Sequence, residues 1–213
     1  MVNGIELDNV KPKKISKNGD EIHIICVAIF SPWHGYERLL FGLEEYYKNG
    51  GKRDLFIHMV GDGPELIKYK SIANSEYIKN RVIFHGMLTG NELDSVYDIC
   101  EIAVSSLGRY KNKLNVISDL KSREYLAKGI PMITGCKIDG FIGKNVKYIC
   151  EFPNDNTNIS IKKIIDFYDD IYTESKKKDE IIAGIRKFAK ENIDISITMK
   201  PVLKYLQNSF ERL

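Results

Sequence analysis

The run Ile22-His23-Ile24-Ile25-Cys26-Val27-Ala28-Ile29-Phe30 constrains this chain more than any other feature. It is nearly all apolar and rich in β-branched residues. A strand with one wet face alternates polar and apolar side chains, and this one does not. It must be covered on both faces, as strands of a parallel sheet are. Ser31, Pro32 and Gly35 then mark a loop. Tyr36, Leu39, Leu40, Leu43 and Tyr47 recur at helical spacing, and Asn49-Gly50-Gly51 ends that helix.

The alternation continues. Leu55 to Val60 reads as a strand, Gly61-Asp62-Gly63-Pro64 as a turn, and Glu65 to about Ala73 as a helix. Arg81 to Phe84 is a strand. Thr89, with Glu92 three residues on, predicts a capping box opening a helix that carries Leu93, Val96, Tyr97 and Cys100. Ile102 to Val104 is a short strand, followed by a polar loop from Ser105 to Asp119. Leu120 to Lys128 is a helix stopped by Gly129, and Pro131 to Thr134 and Lys147 to Cys150 are short strands. Ile161, Ile164, Ile165, Tyr168 and Tyr172 mark an amphipathic helix, and two more cover about 178–191 and 196–211. Repeated βα units of this kind predict an α/β fold with a doubly wound parallel sheet.

A chain of 213 residues can bury a full core. Its net charge of +3 implies no strong field, and no nucleic-acid partner is expected. Lys11, Lys13, Lys14 and Lys17 read as a solvated segment. Cys26, Cys100, Cys136 and Cys150 show no CxxC spacing, which suits reduced core residues of a cytoplasmic protein rather than a disulfide framework or metal site. No run is long enough to span a bilayer. The expected organisation is a linker over 1–20, a ligand-binding domain over 21–195, and a C-terminal helix over 196–213.

In doubly wound sheets, ligands sit outside the carboxyl ends of the strands. Gly61 and Gly63 there permit close backbone approach, or simply a tight turn. His85-Gly86-Met87 presents backbone groups to a flat ligand, or is a turn with a surface histidine. His34 is a base or donor beside Trp33, or packs in its loop. Glu124 lies mid-helix between Lys121 and Lys128, a pattern that also suits an ordinary solvated face. The loop entering that helix carries Ser106, Arg109, Lys111 and Lys113. A carboxylate can accept both hydrogen bonds of a ribose diol, and cations can neutralise a diphosphate.

The ordered set of Phe30 to Leu43, VGDGPE (Val60 to Glu65), RVIFHG (Arg81 to Gly86), Leu93 to Tyr97 and LKSREYLAKGIPMI (Leu120 to Ile133) resembles the C-terminal, donor-binding domain of a GT-B glycosyltransferase, of the family 4 or group 1 type. The resemblance covers roughly 20–200 and implies the Rossmann-like half of a GT-B fold. It implies that Glu124 binds the ribose of a nucleotide and that Lys121 is a basic partner. Gly61 and Gly63 match the donor-cleft turn, Gly86 and Met87 the loop near the base. His34 and Gly35 stand where the family usually has Lys-Gly. Ser106 and Arg109 complete the expected donor-binding set. No catalytic residue and no metal ligand is assigned.

Two departures stand out. His34 replaces the usual diphosphate lysine, leaving Arg38, Arg109 and Lys113 as candidate cations. Val116 stands where the first glutamate of the E-x7-E pair belongs, so hydrogen bonds to the sugar are absent or come from elsewhere, such as Asn115 or Ser118. The resemblance implies transfer of a glycosyl group from a nucleotide diphosphate sugar to a glycan or lipid-linked acceptor, in polysaccharide biosynthesis of bacterial type, without a cofactor. Asn3-Gly4-Ile5-Glu6 resembles the segment that joins the two GT-B domains. The expectation is therefore a C-terminal half, inactive alone, whose acceptor-binding N-terminal domain is missing. Leu203, Leu206 and Phe210 are expected to form an apolar strip facing that domain. Membrane association stays open. A non-catalytic module with a degenerate half fold is the alternative reading. A dinucleotide or flavin binder is a third, and the lack of GxGxxG argues against a dinucleotide.

Overall fold

The computed structural model describes residues 2–144, 146–172 and 177–210, the side chain of residue 210 excepted. In chain order the elements are β1 (Ile22–Ile29), α1 (Glu37–Lys48), β2 (Leu55–Asp62), α2 (Leu66–Ala73), β3 (Val82–Gly86), α3 (Gly90–Ile99), β4 (Ile102–Val104) and β5 (Val116–Ile117). Then come α4 (Leu120–Lys128), β6 (Met132–Thr134), β7 (Lys137–Ile138), β8 (Ile149–Glu151), α5 (Ile161–Ile171), α6 (Lys178–Ile193), α7 (Ile195–Thr198) and α8 (Lys200–Phe210).

Six strands form one sheet in the order β3-β2-β1-β4-β6-β8, with every pairing parallel. β1 is central, and Ile24 pairs with both Ile57 and Ile102. Ile22, Ile24, Ile25 and Cys26 are fully buried, so consecutive residues are covered on both faces. That is what the unbroken apolar run requires. Strand order reverses between β1 and β4, and the loops that follow two such strands are where open parallel sheets bind ligands.

Several local expectations need correction. β2 runs through Gly61 to Asp62, because Ala28 and Ile29 of β1 keep pairing with it. Thr89 is the N-cap of α3, but its side chain makes no capping hydrogen bond. The loop after β4 contains a 3-10 turn at Arg109–Asn112 and the short strand β5, which pairs in parallel with β7.

Residues 2–20 run against the domain. Ile5 N–H donates to the Ile193 carbonyl at 3.0 Å, and Ile195 N–H donates back to Ile5 at 3.0 Å. Lys13, read as solvated, is buried, and its ammonium donates to the Cys100 carbonyl at 2.5 Å. All four cysteines are free and buried. On α8, Leu203 and Leu206 are 53% and 45% exposed, with Tyr205 beside them at 71%. The Phe210 side chain lies outside the described residues. Among the described residues, no helix is long and apolar enough to cross a membrane.

Candidate functional site

Three loops meet backbone to backbone at the switch point. Leu107 N–H donates to the His34 carbonyl at 2.7 Å, and Gly135 N–H donates to the Ser106 carbonyl at 2.9 Å. Gly35 has φ 63°, and a Cβ there would stand 2.5 Å from the Gly108 nitrogen. Glycine is therefore demanded twice over, by conformation and by contact.

His34 ends a 3-10 turn begun by Pro32. Ser31 N–H donates to its Nδ1 at 3.1 Å, so the imidazole proton resides on Nε2. The ring stacks on Tyr36 at 5.5 Å. Burial, with the positive charges of Lys121 and Arg109, pushes its pKa down to about 3. His34 is thus a neutral donor at physiological pH rather than a stand-in cation.

The cations are Lys121 and Arg109. Lys121 donates to the Tyr36 hydroxyl at 3.2 Å and lies 5.5 Å from that ring's centroid. Burial lowers its pKa to about 8, against the pull of Asp119. The Arg109 guanidinium lies 6.0 Å from the Trp33 ring, and its buried Nε has no hydrogen-bond partner among the described residues. Ser106 Oγ and Asp119 Oδ1 are likewise buried without a hydrogen bond among the described residues, and Asp119 Oδ1 lies 3.8 Å from the Arg123 guanidinium. Asp119 is the N-cap of α4, yet its side chain accepts from Ser105 at 2.9 Å instead of capping the helix. The first N–H groups of α4 therefore lack a side-chain partner, as an anion site requires.

Glu124 lies one turn further along α4, partly buried. Burial raises its pKa, while Lys128 and the Tyr97 hydroxyl favour the charged form. The buried Tyr97 hydroxyl makes no hydrogen bond of normal geometry among the described residues. Lys128 is engaged by Asp94 at 2.6 Å and is not a free partner for a ligand.

Other candidates fall elsewhere. Arg38 is consumed by the fold: its guanidinium donates to the carbonyls of Leu107, Pro153 and Thr157 and meets Asp155 at 3.4 Å. Lys111 binds the Pro32 carbonyl at 2.9 Å and the Glu37 carboxylate, pinning its loop to α1. Lys113 is exposed at φ 57°. Gly61 and Gly63 have a reason internal to the fold. A Cβ on Gly63 would stand 2.6 Å from the Phe30 nitrogen, and one on Gly61 would overlap the Ala28 carbonyl. Gly86, by contrast, has φ 70° and open space around it, and Met87 beside it is 63% exposed. Val116 is 41% exposed on β5. Sequence reasoning missed the placing of the Asp119 carboxylate between Ser105 and Arg123, whose only signal was its place before a helix. The cavity of about 480 Å³ lined by Tyr148, Phe167, Ile171 and Ile181, with Lys147, Asp170 and Glu180 among its walls, shows no such convergence of orphaned polar groups among the described residues.

The sequence profile of the family described as glycosyl transferases group 1 matches residues 8–114. That span includes His34, Gly35, Gly61, Gly63, Gly86, Met87, Ser106 and Arg109 and ends before α4. No curated protein matches. Among solved structures, the Anabaena protein Alr3699/HepE, crystallised with UDP-glucose, aligns with TM-score 0.66 at 13% identity, over 96% of this chain and 56% of its own. A glycosyltransferase from Rickettsia africae aligns with TM-score 0.66 at 16% identity, over 97% of this chain and 55% of its own. The C-terminal domain of the group 1 protein LpcC from Francisella tularensis aligns with TM-score 0.62 at 16% identity, over 90% of this chain and all of that domain. This chain spans little more than half the length of the first two. The fold is the Rossmann-like half of a GT-B structure, and the chain belongs to the glycosyl transferases group 1 family.

Proposed function

We propose that this domain binds the nucleotide diphosphate sugar donor of a glycosyltransferase that passes a glycosyl group to a glycan or lipid-linked acceptor in polysaccharide biosynthesis. The observation that carries this reading is the uncapped N-terminus of α4 beside Lys121 and Arg109, with Ser106 Oγ and Arg109 Nε buried and unpartnered. A diphosphate offers acceptor oxygens of the kind these groups need.

In this reading the helix N-terminus, Lys121 and Arg109 hold the charge that develops on the leaving diphosphate. His34 donates Nε2–H as a neutral partner. Glu124 accepts from the ribose diol, with Tyr97 beside it. Gly86 and Met87 line the base. The charge stabilisation is assigned to these groups rather than to a metal. The acceptor is held by a second domain, and α8 with its exposed Leu203 and Leu206 faces that domain. UDP-glucose in the Anabaena relative favours a uridine donor as the first to try.

Calorimetric titration with UDP, GDP and ADP, on the wild type and Glu124→Ala, tests this. The expected result is saturable binding of one nucleotide, lost in Glu124→Ala. Absence of heat with all three would leave the non-catalytic module as the better reading.

A further inference from the structure

Three of the chain's four histidines stand in one hydrogen-bonded row across adjacent strands. His23 Nδ1 on β1 lies 2.8 Å from His58 Nε2 on β2, and His58 Nδ1 lies 2.9 Å from His85 Nε2 on β3. At the far end His23 Nε2 lies 3.1 Å from a Glu21 carboxylate oxygen. The row is diagonal. His23 is near the start of β1, while His85 is near the end of β3, where the register with β2 shifts in a bulge. It joins the amino-terminal edge of the sheet to the rim that carries Gly86 and Met87.

Each nitrogen pair can hold only one proton between its two atoms. The ionised Glu21 takes the Nε2–H of His23, which leaves His23 Nδ1 as an acceptor for His58 Nε2–H. His58 Nδ1 in turn accepts from His85 Nε2–H. The last atom, His85 Nδ1, is then a bare acceptor. It has no partner among the described residues and is reached by solvent.

We propose that this row is a one-proton switch that sets whether His85 Nδ1 accepts or donates a hydrogen bond at the rim. A proton from solvent joins His85 Nδ1. The Nε2 proton of His85 passes to His58 Nδ1, and the Nε2 proton of His58 passes to His23 Nδ1. One proton has been taken up. His58 and His85 are neutral again with their tautomers reversed, and His23 carries the charge.

The surrounding groups favour that end. Glu21 faces His23 Nε2, and Glu101 accepts the His23 backbone N–H at 2.9 Å. The cations nearby are already engaged or screened. Lys178 lies 3.8 Å from Glu101, Lys13 serves the Cys100 carbonyl, and Arg81 pairs with Asp54 and is separated from His23 by the Phe56 ring. His58 faces only imidazoles, and burial together with those neighbours pushes its pKa down to about 3. Burial also lowers His85, where Lys70 lies over the neighbouring Phe84. The row therefore takes up one proton rather than three. A ligand N–H meets a partner at His85 with the row neutral, and a ligand carbonyl or phosphate oxygen meets one with the row charged.

Long-range 1H–15N spectra of the full chain, labelled at histidine and titrated from about pH 8.5 to 5, test the switch. The expected result is Nε2–H on all three rings at high pH. Through a single midpoint His23 then becomes doubly protonated as His58 and His85 convert to Nδ1–H. Conversion of His58 or His85 to imidazolium, or an unchanged tautomer as His23 charges, would overturn the proposal. Glu21→Gln, at a side chain 46% exposed, should lower the midpoint by about one pH unit for all three rings together. Movement of His23 alone, or none, overturns it as well.

Discussion

Replacing Lys121 by methionine should weaken ligand binding and strengthen the fold. The ammonium of Lys121 is held in a partly buried position where its pKa falls from 10.5 to about 8. At 1.36 kcal/mol per pH unit, that fall means the charged side chain costs about 3 kcal/mol of stability at pH 7. Methionine removes this cost and keeps most of the stem. The lost contact with the Tyr36 ring returns about 0.5–1 kcal/mol, so the net gain is about 2 kcal/mol. A phosphate hydrogen bond from the ammonium is worth about 1.5–3 kcal/mol, so affinity for a nucleoside diphosphate should fall about 10- to 100-fold. Urea unfolding followed by circular dichroism reads the first quantity and calorimetry the second. The pH dependence supplies an internal control. The folded state releases the Lys121 proton near pH 8, while the unfolded state holds it to about 10.5. Between those values the unfolded state binds more protons, so Lys121 makes wild-type stability rise with pH, and the variant should lack that rise. A variant less stable than wild type with unchanged affinity would refute the reasoning, because it would make Lys121 a structural residue.

Other substitutions separate the roles of neighbouring groups. Arg38→Ala should destabilise the domain by about 3–5 kcal/mol, read by urea unfolding, because the carbonyls of Leu107, Pro153 and Thr157 lose their donors. A variant that stays folded and loses only nucleotide affinity would instead make Arg38 a ligand cation. Gly61→Ala should prevent soluble expression, since its Cβ would overlap the Ala28 carbonyl, whereas Gly86→Ala should cost only about 1 kcal/mol in thermal unfolding. Glu124→Gln should leave stability within about 1 kcal/mol of wild type and cut nucleotide affinity at least tenfold by calorimetry. His34 should remain neutral in NMR titration down to about pH 4, given its pKa of about 3. Because the unfolded chain protonates histidine near pH 6.5, stability contributed by His34 is lost as pH falls below that value.

The architecture was legible where side chains report their own burial. The unbroken run at β1 demanded cover on two faces, and Gly129 stopped α4 where expected. What depended on distant partners was not legible. Strands of two residues, β5 and β7, carry no period, and their pairing links residues about 20 apart. Arg38 has the composition of a ligand cation, yet three carbonyls from two distant loops use its donors. Lys13 sits in a lysine-rich stretch and is nevertheless buried, because the chain turns back along α4. At the candidate site, Lys121 and Glu124 are proposed from the family resemblance and Arg109 from its loop. The neutrality of His34, the loss of Lys128 to Asp94 and the placing of the Asp119 carboxylate follow from packing alone.

The proposed function puts a nucleoside diphosphate at the switch point between β1 and β4. Backbone amide shifts of the 15N-labelled chain, followed as UDP, GDP or ADP is added, test it most directly. One nucleotide is expected to move the amides of residues 31, 33–36, 85–88, 106–109 and 119–125 together and leave α5 and α6 unmoved. Shifts centred on Phe167, Ile171 and Ile181, or no shifts with any of the three, would contradict it.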